Sequence, residues 1–376
     1  MKGGLTLQRF KYYDVRHLLK DYPNAHYYVI FGERSNGKTY SALDYAIERY
    51  RKNGEQFAYI RRWGEDIRKK NLSSLFAGHA ENGRIRQIFD GEWNQIYYGS
   101  SKFYLERINE NGEIERAVDN CGFAFDLNSM EHSKSLSFPR ITTIIFDEFM
   151  SRNGYLPNEW VLFANTLSTI IRQRNNVRIF MLGNTVNKYC PYFEEMGLNH
   201  IKDQKPGTVD VYHYGQTDLT VVAEYTGTAA KNGGKASDVY FSFDNPELKM
   251  ITGGDWEIAI YPHLETKYRP KDVVANFFII FEGDILHGEV IAVDTGTFIF
   301  LHRKTTPIKD EENDIVYTTR PNQRWNYRMC LTKHSDRLSR FIVQCLRENR
   351  IFYSTNEVGE VFRNYVMWSD SFSIKN

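Results

Sequence analysis

Eight residues near the start of the chain restrict its fold more than any other segment: Gly32-Glu33-Arg34-Ser35-Asn36-Gly37-Lys38-Thr39. They fit the pattern G-x-x-x-x-G-K-[ST] at every fixed position. Ahead of them, residues 26–31 (His-Tyr-Tyr-Val-Ile-Phe) are aromatic and β-branched, which predicts a buried strand. Behind them, residues 38–52 set Leu43, Ala46, Ile47 and Tyr50 on one face, which predicts a helix closed by Asn53-Gly54. A strand, a Gly-bounded loop and a helix in that order form a cradle for phosphate. The glycines let the backbone curl until its N–H groups approach phosphate oxygens. The helix start adds unpaired N–H groups and the positive end of its dipole. In such a loop Lys38 reaches the β- and γ-phosphates, and the Thr39 hydroxyl ligates magnesium. ATP and Mg2+ are therefore the expected ligands, with all eight loop residues lining the nucleotide.

Residues 141–147 (Ile-Thr-Thr-Ile-Ile-Phe-Asp) read as a buried parallel strand ending in acid, and Glu148 follows directly. Asp147, at the strand's C-terminal end beside the phosphate loop, can hold the magnesium or its water shell. Glu148 can polarise the attacking water. This adjacent pair points to the ATPase branch with an added central strand, because P-loop kinases and GTPases usually lack a glutamate there. Residues 178–183 form a further strand, and Asn184 after it is a candidate for positioning water or sensing the γ-phosphate. Residues 56–61 predict another strand, and residues 156–175 a helix with Pro157 near its start.

Strands alternating with helices imply a parallel sheet with right-handed crossovers. The expected fold class is α/β: a P-loop NTPase of the additional-strand, catalytic-glutamate type, with helices on both faces of its sheet, over residues 1–202. Residues 203–254, rich in Gly, Thr, Lys and Asp, suit a linker with short strands. Residues 255–376 suggest a smaller α+β domain. It has strand runs at 277–282, 289–294 and 297–302, the last two joined by a Thr-Gly turn, and closing helices near 334–348 and 356–367. Hairpin signals also occur near residues 109–112.

Bulk properties exclude several classes. The 376 residues carry 48 Lys+Arg against 47 Asp+Glu, so no global field marks a polyanion binder, and any nucleic-acid contact must be a local patch. Cys121, Cys190, Cys330 and Cys345 form no CxxC pair, which argues against a zinc or disulfide scaffold. No apolar run reaches membrane-spanning length, and the N-terminus lacks a signal-peptide stretch, so the expected location is the cytoplasm.

Cations outside the loop offer further roles. Arg172, then Arg174, end a predicted helix where ring ATPases can present an arginine to the neighbouring site. Lys134, in the polar loop His132-Ser133-Lys134-Ser135, can contact a neighbour's ATP or DNA. Arg61, Arg62, Lys69 and Lys70, beside Trp63, suit phosphate contacts and stacking, either as a DNA grip or as a nucleotide-facing lid.

The combination of the phosphate loop with Gly54-Glu55-Gln56-Phe57-Ala58-Tyr59-Ile60-Arg61-Arg62, Ile145-Phe146-Asp147-Glu148-Phe149, Tyr155-Leu156-Pro157-Asn158-Glu159 and Arg172-Gln173-Arg174 resembles the DNA-packaging (encapsidation) ATPases of φ29-type tailed bacteriophages. The resemblance covers roughly residues 20–200. It implies a homo-oligomeric ring, a pentamer, acting in the host cytoplasm while docked on the portal of the procapsid. That ring pumps double-stranded DNA inward, with a structural packaging RNA as a further partner. It also implies a C-terminal domain like the RNase H-type nuclease of large terminases but without cutting activity. The acids there are Glu282, Asp284, Glu289 and Asp294. Glu282 and Asp294 each end a predicted strand and are expected to face each other. A full terminase that cuts DNA, a helicase or conjugative pump, and a non-motor ATPase switch are the rival readings.

Overall fold

Seven consecutive buried residues, Ile141–Asp147, make one strand of a nine-stranded sheet. The structure is a computed structural model. It describes residues 12–128, 137–152, 154–215, 217–227, 256, 259–310 and 312–372. Two compact units divide the chain, Met1–Glu257 and Ile258–Asn376.

The N-terminal unit contains β1 (Tyr27–Gly32), β2 (Gln56–Arg61), β3 (Gln95–Gly99), β4 (Lys102–Ile108), β5 (Ile114–Asp126), β6 (Ile141–Asp147), β7 (Arg178–Asn184), β8 (Thr208–His213) and β9 (Thr220–Tyr225). Its helices are α1 (Arg16–Asp21), α2 (Lys38–Asn53), α3 (Lys69–Leu72), α4 (Ala77–Glu81), α5 (Arg84–Ile88), α6 (Glu159–Ile171) and α7 (Pro191–Glu195). The strand order is β3-β4-β5-β2-β6-β7-β1-β9-β8. From β5 to β9 every neighbouring pair is parallel. A parallel sheet needs crossovers that cover both faces, and so its strands read as continuous apolar runs. One face packs Val29, Ile144, Phe146 and Phe163. The other packs Ile30, Leu43, Ile47, Phe57 and Ile145. Each such side chain contributes about 1.5–3 kcal/mol when fully buried.

β7 lies between β1 and β6, which is the added central strand that the Asp–Glu pair implies. Strand β2 matches residues 56–61 as expected. Helix α6 is shorter than the expected 156–175. Its cap Asn158 has φ of 55°, and Arg172 and Gln173 after it have φ of 43° and 64°. Left-handed residues at both ends cannot continue a right-handed helix.

The hairpin near 109–112 is present between β4 and β5. Asn109 Oδ1 accepts from the N–H groups of Asn111 and Glu113 to close the turn. Where β5 joins β2, Gly122 is required, because a Cβ there would meet the Phe57 ring at 2.5 Å. The reading of 203–254 as a linker is corrected for its described part. β8 and β9 are integral to the sheet, and β9 pairs with β1 from Tyr27↔Val221 to Phe31↔Tyr225. Buried Val221, Val222 and Ala223 provide the apolar run that a sheet position demands, which the surrounding polar composition concealed.

The C-terminal unit holds β10 (Val273–Phe281), β11 (Asp284–Val293), β12 (Gly296–Arg303), β13 (Val316–Thr318), β14 (Tyr327–Arg328) and β15 (Ile351–Tyr353), with α8 (Arg337–Arg347) and α9 (Asn356–Phe372). The order is β14-β13-β10-β11-β12-β15. β10, β11 and β12 form an antiparallel meander, and β13, β14 and β15 are added in parallel. The Thr-Gly turn joins β11 to β12, with Gly296 at φ 140°. Asp336 caps α8 by accepting from Leu338 and Ser339 N–H.

The expectation that Glu282 and Asp294 face each other is overturned. Glu282 lies in the β10–β11 turn, where Phe281 pairs with Asp284, and Asp294 lies in the β11–β12 turn, where Val293 pairs with Gly296. The ten residues of β11 separate the two turns, about 30 Å at the usual rise.

Candidate active site

At the C-terminal end of β1 the chain turns sharply. Gly32 has φ of 147°, and a Cβ there would lie 2.1 Å from Thr226 Oγ1. Glycine is therefore needed for both conformation and room. Thr226 follows β9 and donates its N–H to Phe31 O at 2.8 Å, while Asn36 Nδ2 donates to Thr226 Oγ1 at 3.0 Å. The loop is thus fastened to the neighbouring strand. Ser35 and Gly37 also have positive φ, 58° and 97°, and Gly37 caps α2. Glu33 is half-buried and Arg34 and Ser35 are exposed on the loop's outer side.

Lys38 is buried in the cradle. Its Nζ donates to Glu33 O at 2.6 Å, Asn36 Oδ1 at 3.2 Å and Asn184 Oδ1 at 3.4 Å. Burial pushes its pKa down to about 8, opposed by Asp147 and Glu33. The ammonium therefore sits among neutral oxygens that a phosphate outcompetes as a partner. Asn184 ends β7 in the position expected from the sequence, beside Lys38.

Thr39 Oγ1 donates to Asp147 Oδ1 at 3.1 Å, joining the start of α2 to the end of β6 across 108 residues of sequence. Two hard oxygens at this spacing are the ligand type a small divalent cation takes. Tyr59 OH donates to Asp147 Oδ2 at 2.8 Å, and Arg61 Nη1 lies 3.9 Å from the same oxygen. Burial raises the Asp147 pKa, and Arg61, Tyr59 and Thr39 counter it.

Glu148 takes φ of 57° and turns its side chain out, more than half exposed. Its Oε2 accepts from Arg61 Nη2 at 2.5 Å. A carboxylate next to a cation and open to solvent can hold a water molecule in line with a phosphate.

Arg61 and Arg62 change role from the sequence reading. Arg61 holds both acids of the β6 end and so belongs to the site itself. Arg62 is buried, donating to Glu159 Oε2 at 2.7 Å, Glu148 O at 3.2 Å and Phe149 O at 2.6 Å. It fixes the loop after β6 and offers no surface for DNA. Glu159, also buried, accepts from Tyr192 OH and Leu156 N. Period-two patterning missed these partners, since neither a lone Tyr59 in a strand nor an acid after Pro157 signals a contact 90 residues away.

Lys69 and Lys70 remain exposed, away from the loop, with Lys69 Nζ 3.1 Å from Tyr97 OH. Arg172 is exposed at the end of α6 and lines an open depression of about 650 Å3 with Asn165, Ser168, Thr169 and Gln173. Because α6 leads from the end of β6 back to the start of β7, Arg172 stands at the end of the sheet opposite the phosphate loop. It does not reach its own chain's site. Arg174, the second candidate, is committed locally, donating to the carbonyls of Phe138, Pro139, Ile141, Ile170 and Ile171. Lys134 lies outside the described residues.

Comparisons with known proteins give the family of the chain. A DNA packaging protein of Bacillus phage B103 is 31% identical over 178 residues, 45% of this chain and 47% of that protein. One from Bacillus phage phi29 is 32% identical over 167 residues, 44% of each chain. The alignments thus span about half the length of these curated relatives. A solved structure of the bacteriophage Phi-29 viral genome packaging motor assembly shares the fold, with a TM-score of 0.53 at 20% identity over 95% of this chain and 99% of that one. Residues 7–204, more than half of the sequence, match the family described as podovirus DNA encapsidation protein (Gp16), and the chain belongs to that family.

Proposed function

We propose that this chain is the ATP-hydrolysing subunit of a ring motor that moves double-stranded viral DNA into a preformed capsid. The observation that carries the proposal is the contact of Thr39 with Asp147 beside the buried Lys38, with Glu148 next to Asp147, in a chain of the encapsidation family. Magnesium is the fitting cation for Thr39 and Asp147, and when bound it neutralises charge on the β- and γ-phosphate oxygens. The residues do the rest. The backbone of the loop and Lys38 bind the triphosphate. Glu148 accepts a proton from the attacking water. Asn184 reports the γ-phosphate to β7. Arg172, exposed and remote from its own site, acts on the neighbour's transition-state charge, and Lys134 is a second residue proposed to act between subunits.

The ring, a pentamer, docks on the portal of the procapsid in the host cytoplasm, with a packaging RNA as a further partner. Among the described residues no helix is long and apolar enough to cross a membrane. Lys69 and Lys70 are the proposed backbone-directed DNA contacts. The separation of Glu282 from Asp294 favours a C-terminal unit that does not cut, since a two-metal centre needs carboxylates converging on ions about 4 Å apart.

The test is steady-state ATP hydrolysis by wild type, Lys38→Ala and Glu148→Gln, with and without duplex DNA at low salt. Turnover stimulated by DNA and reduced at least about a hundredfold in both variants is the expected result. An active Glu148→Gln removes that residue from catalysis. Turnover indifferent to DNA transfers the chain to the switch class of ATPase, and magnesium-dependent cutting by the full chain makes it a terminase.

A further inference from the structure

The antiparallel part of the C-terminal sheet brings two histidines and a glutamate together. His287 on β11 lies directly opposite His302 on β12. Glu289 is two residues along β11 and so points to the same face. That face is half-exposed, while Leu286, Gly288 and Leu301 on the other face are buried. One ligand-type atom from each of the three residues lies within 4.8 Å of the others. His302 Nε2 is 3.7 Å from Glu289 Oε2, and the two imidazole ring centres are 4.8 Å apart.

We propose that His287, Glu289 and His302 form a binding site for one transition-metal ion of the zinc type. Imidazole and carboxylate in a two-to-one set suit Zn2+ and its first-row neighbours, whereas magnesium and calcium take oxygen ligands alone. Tetrahedral bonds of about 2.0–2.1 Å place ligand atoms about 3.3 Å apart, a contraction within reach of side-chain rotation.

The surrounding hydrogen bonds are of the kind that orient metal ligands. His287 Nε2 lies 2.8 Å from Asn276 Oδ1, which keeps the proton on that nitrogen and leaves Nδ1 as the lone-pair atom. His302 Nδ1 lies 3.3 Å from Arg303 O and leaves Nε2 for the metal. Tyr268 OH donates to Glu289 Oε2 at 2.5 Å. Burial, then the neighbouring His302, lowers the His287 pKa; Lys304 acts in the same direction, and Glu289 and Asp314 oppose it. Three protein ligands leave a fourth position for water. The site lies in a different unit from the nucleotide loop and shares none of its residues.

Cobalt(II) is the probe, added to the full chain after chelator treatment and without nucleotide. The expected result is one equivalent bound with visible d–d bands, displaced by Zn2+ and lacking a thiolate band from the four cysteines. The His287→Ala/His302→Ala double variant should bind at least about a hundredfold more weakly, and Tyr268→Phe about tenfold more weakly, with unchanged circular dichroism. If the double variant does not fold, Tyr268→Phe and Glu289→Gln decide alone. No binding at millimolar metal, a thiolate spectrum, or unchanged affinity in the folded variants overturns the site.

Discussion

The two sheets gather polar side chains by opposite rules. In the N-terminal unit the strands from β5 to β9 run parallel, so their C-terminal ends share one edge. Lys38, Asp147 and Asn184 meet there although the chain between them is long. In the C-terminal unit β10, β11 and β12 alternate in direction, so Glu282 and Asp294, each beside a strand end, are held a full strand apart. What meets instead is a cross-strand trio on one face, His287, Glu289 and His302. A parallel sheet converts strand ends into a site, and an antiparallel one converts facing pairs into a site.

The strongest way to break this comparison is to attack the framework that fixes the parallel edge. Arg62→Leu leaves the buried Glu159 carboxylate without its cation, and losing one partner of such a pair costs about 3–5 kcal/mol. Urea unfolding of the N-terminal transition measures it; a loss below about 1 kcal/mol means that Arg62 does not hold the edge together.

A smaller effect separates site from surface. Arg61 contacts both Asp147 and Glu148, so under the proposed function Arg61→Gln should lower DNA-free ATP turnover by about tenfold or more. Lys70→Gln should leave that turnover unchanged and only reduce the salt slope of DNA binding by about one. The reverse pattern returns Arg61 to the role of a DNA contact.

The smallest effect sharpens the electrostatics of the edge. Lys38 is held near pKa 8 when its partners are only carbonyl and amide oxygens. Bound phosphates favour the charged form, so above pH 8 nucleotide binding must take up a proton. Affinity should then fall by up to about tenfold per pH unit from 8 upward. The stability of the nucleotide-free protein runs the other way. Between about 8 and the unfolded value of about 10.5, the unfolded chain binds more protons, so this group's contribution to stability rises with pH. Fluorescent-nucleotide titrations from pH 7 to 9.5 read the first trend, and an affinity flat across pH 8 removes the buried lysine from the explanation.

The amino-acid sequence by itself determined the phosphate loop, the acid-ended strand β6, the strand at Asn184 and the helix after the loop. Each is a local pattern whose meaning depends on neighbours within a few residues. It also carried the α/β class, because uninterrupted apolar strands alternating with amphipathic helices admit few other packings. Only the tertiary structure decided what Arg61 and Arg62 do, since their partners Asp147, Glu148 and Glu159 lie about 90 residues away. The same holds for Tyr59 and for Thr226 beneath Gly32. It placed β8 and β9 in the sheet against the pull of their polar surroundings, because pairing with β1 buries a short apolar run that composition averages away. It also separated Glu282 from Asp294 and joined His287 to His302. Strand direction and register are properties of pairing, and a single strand's residues do not specify them.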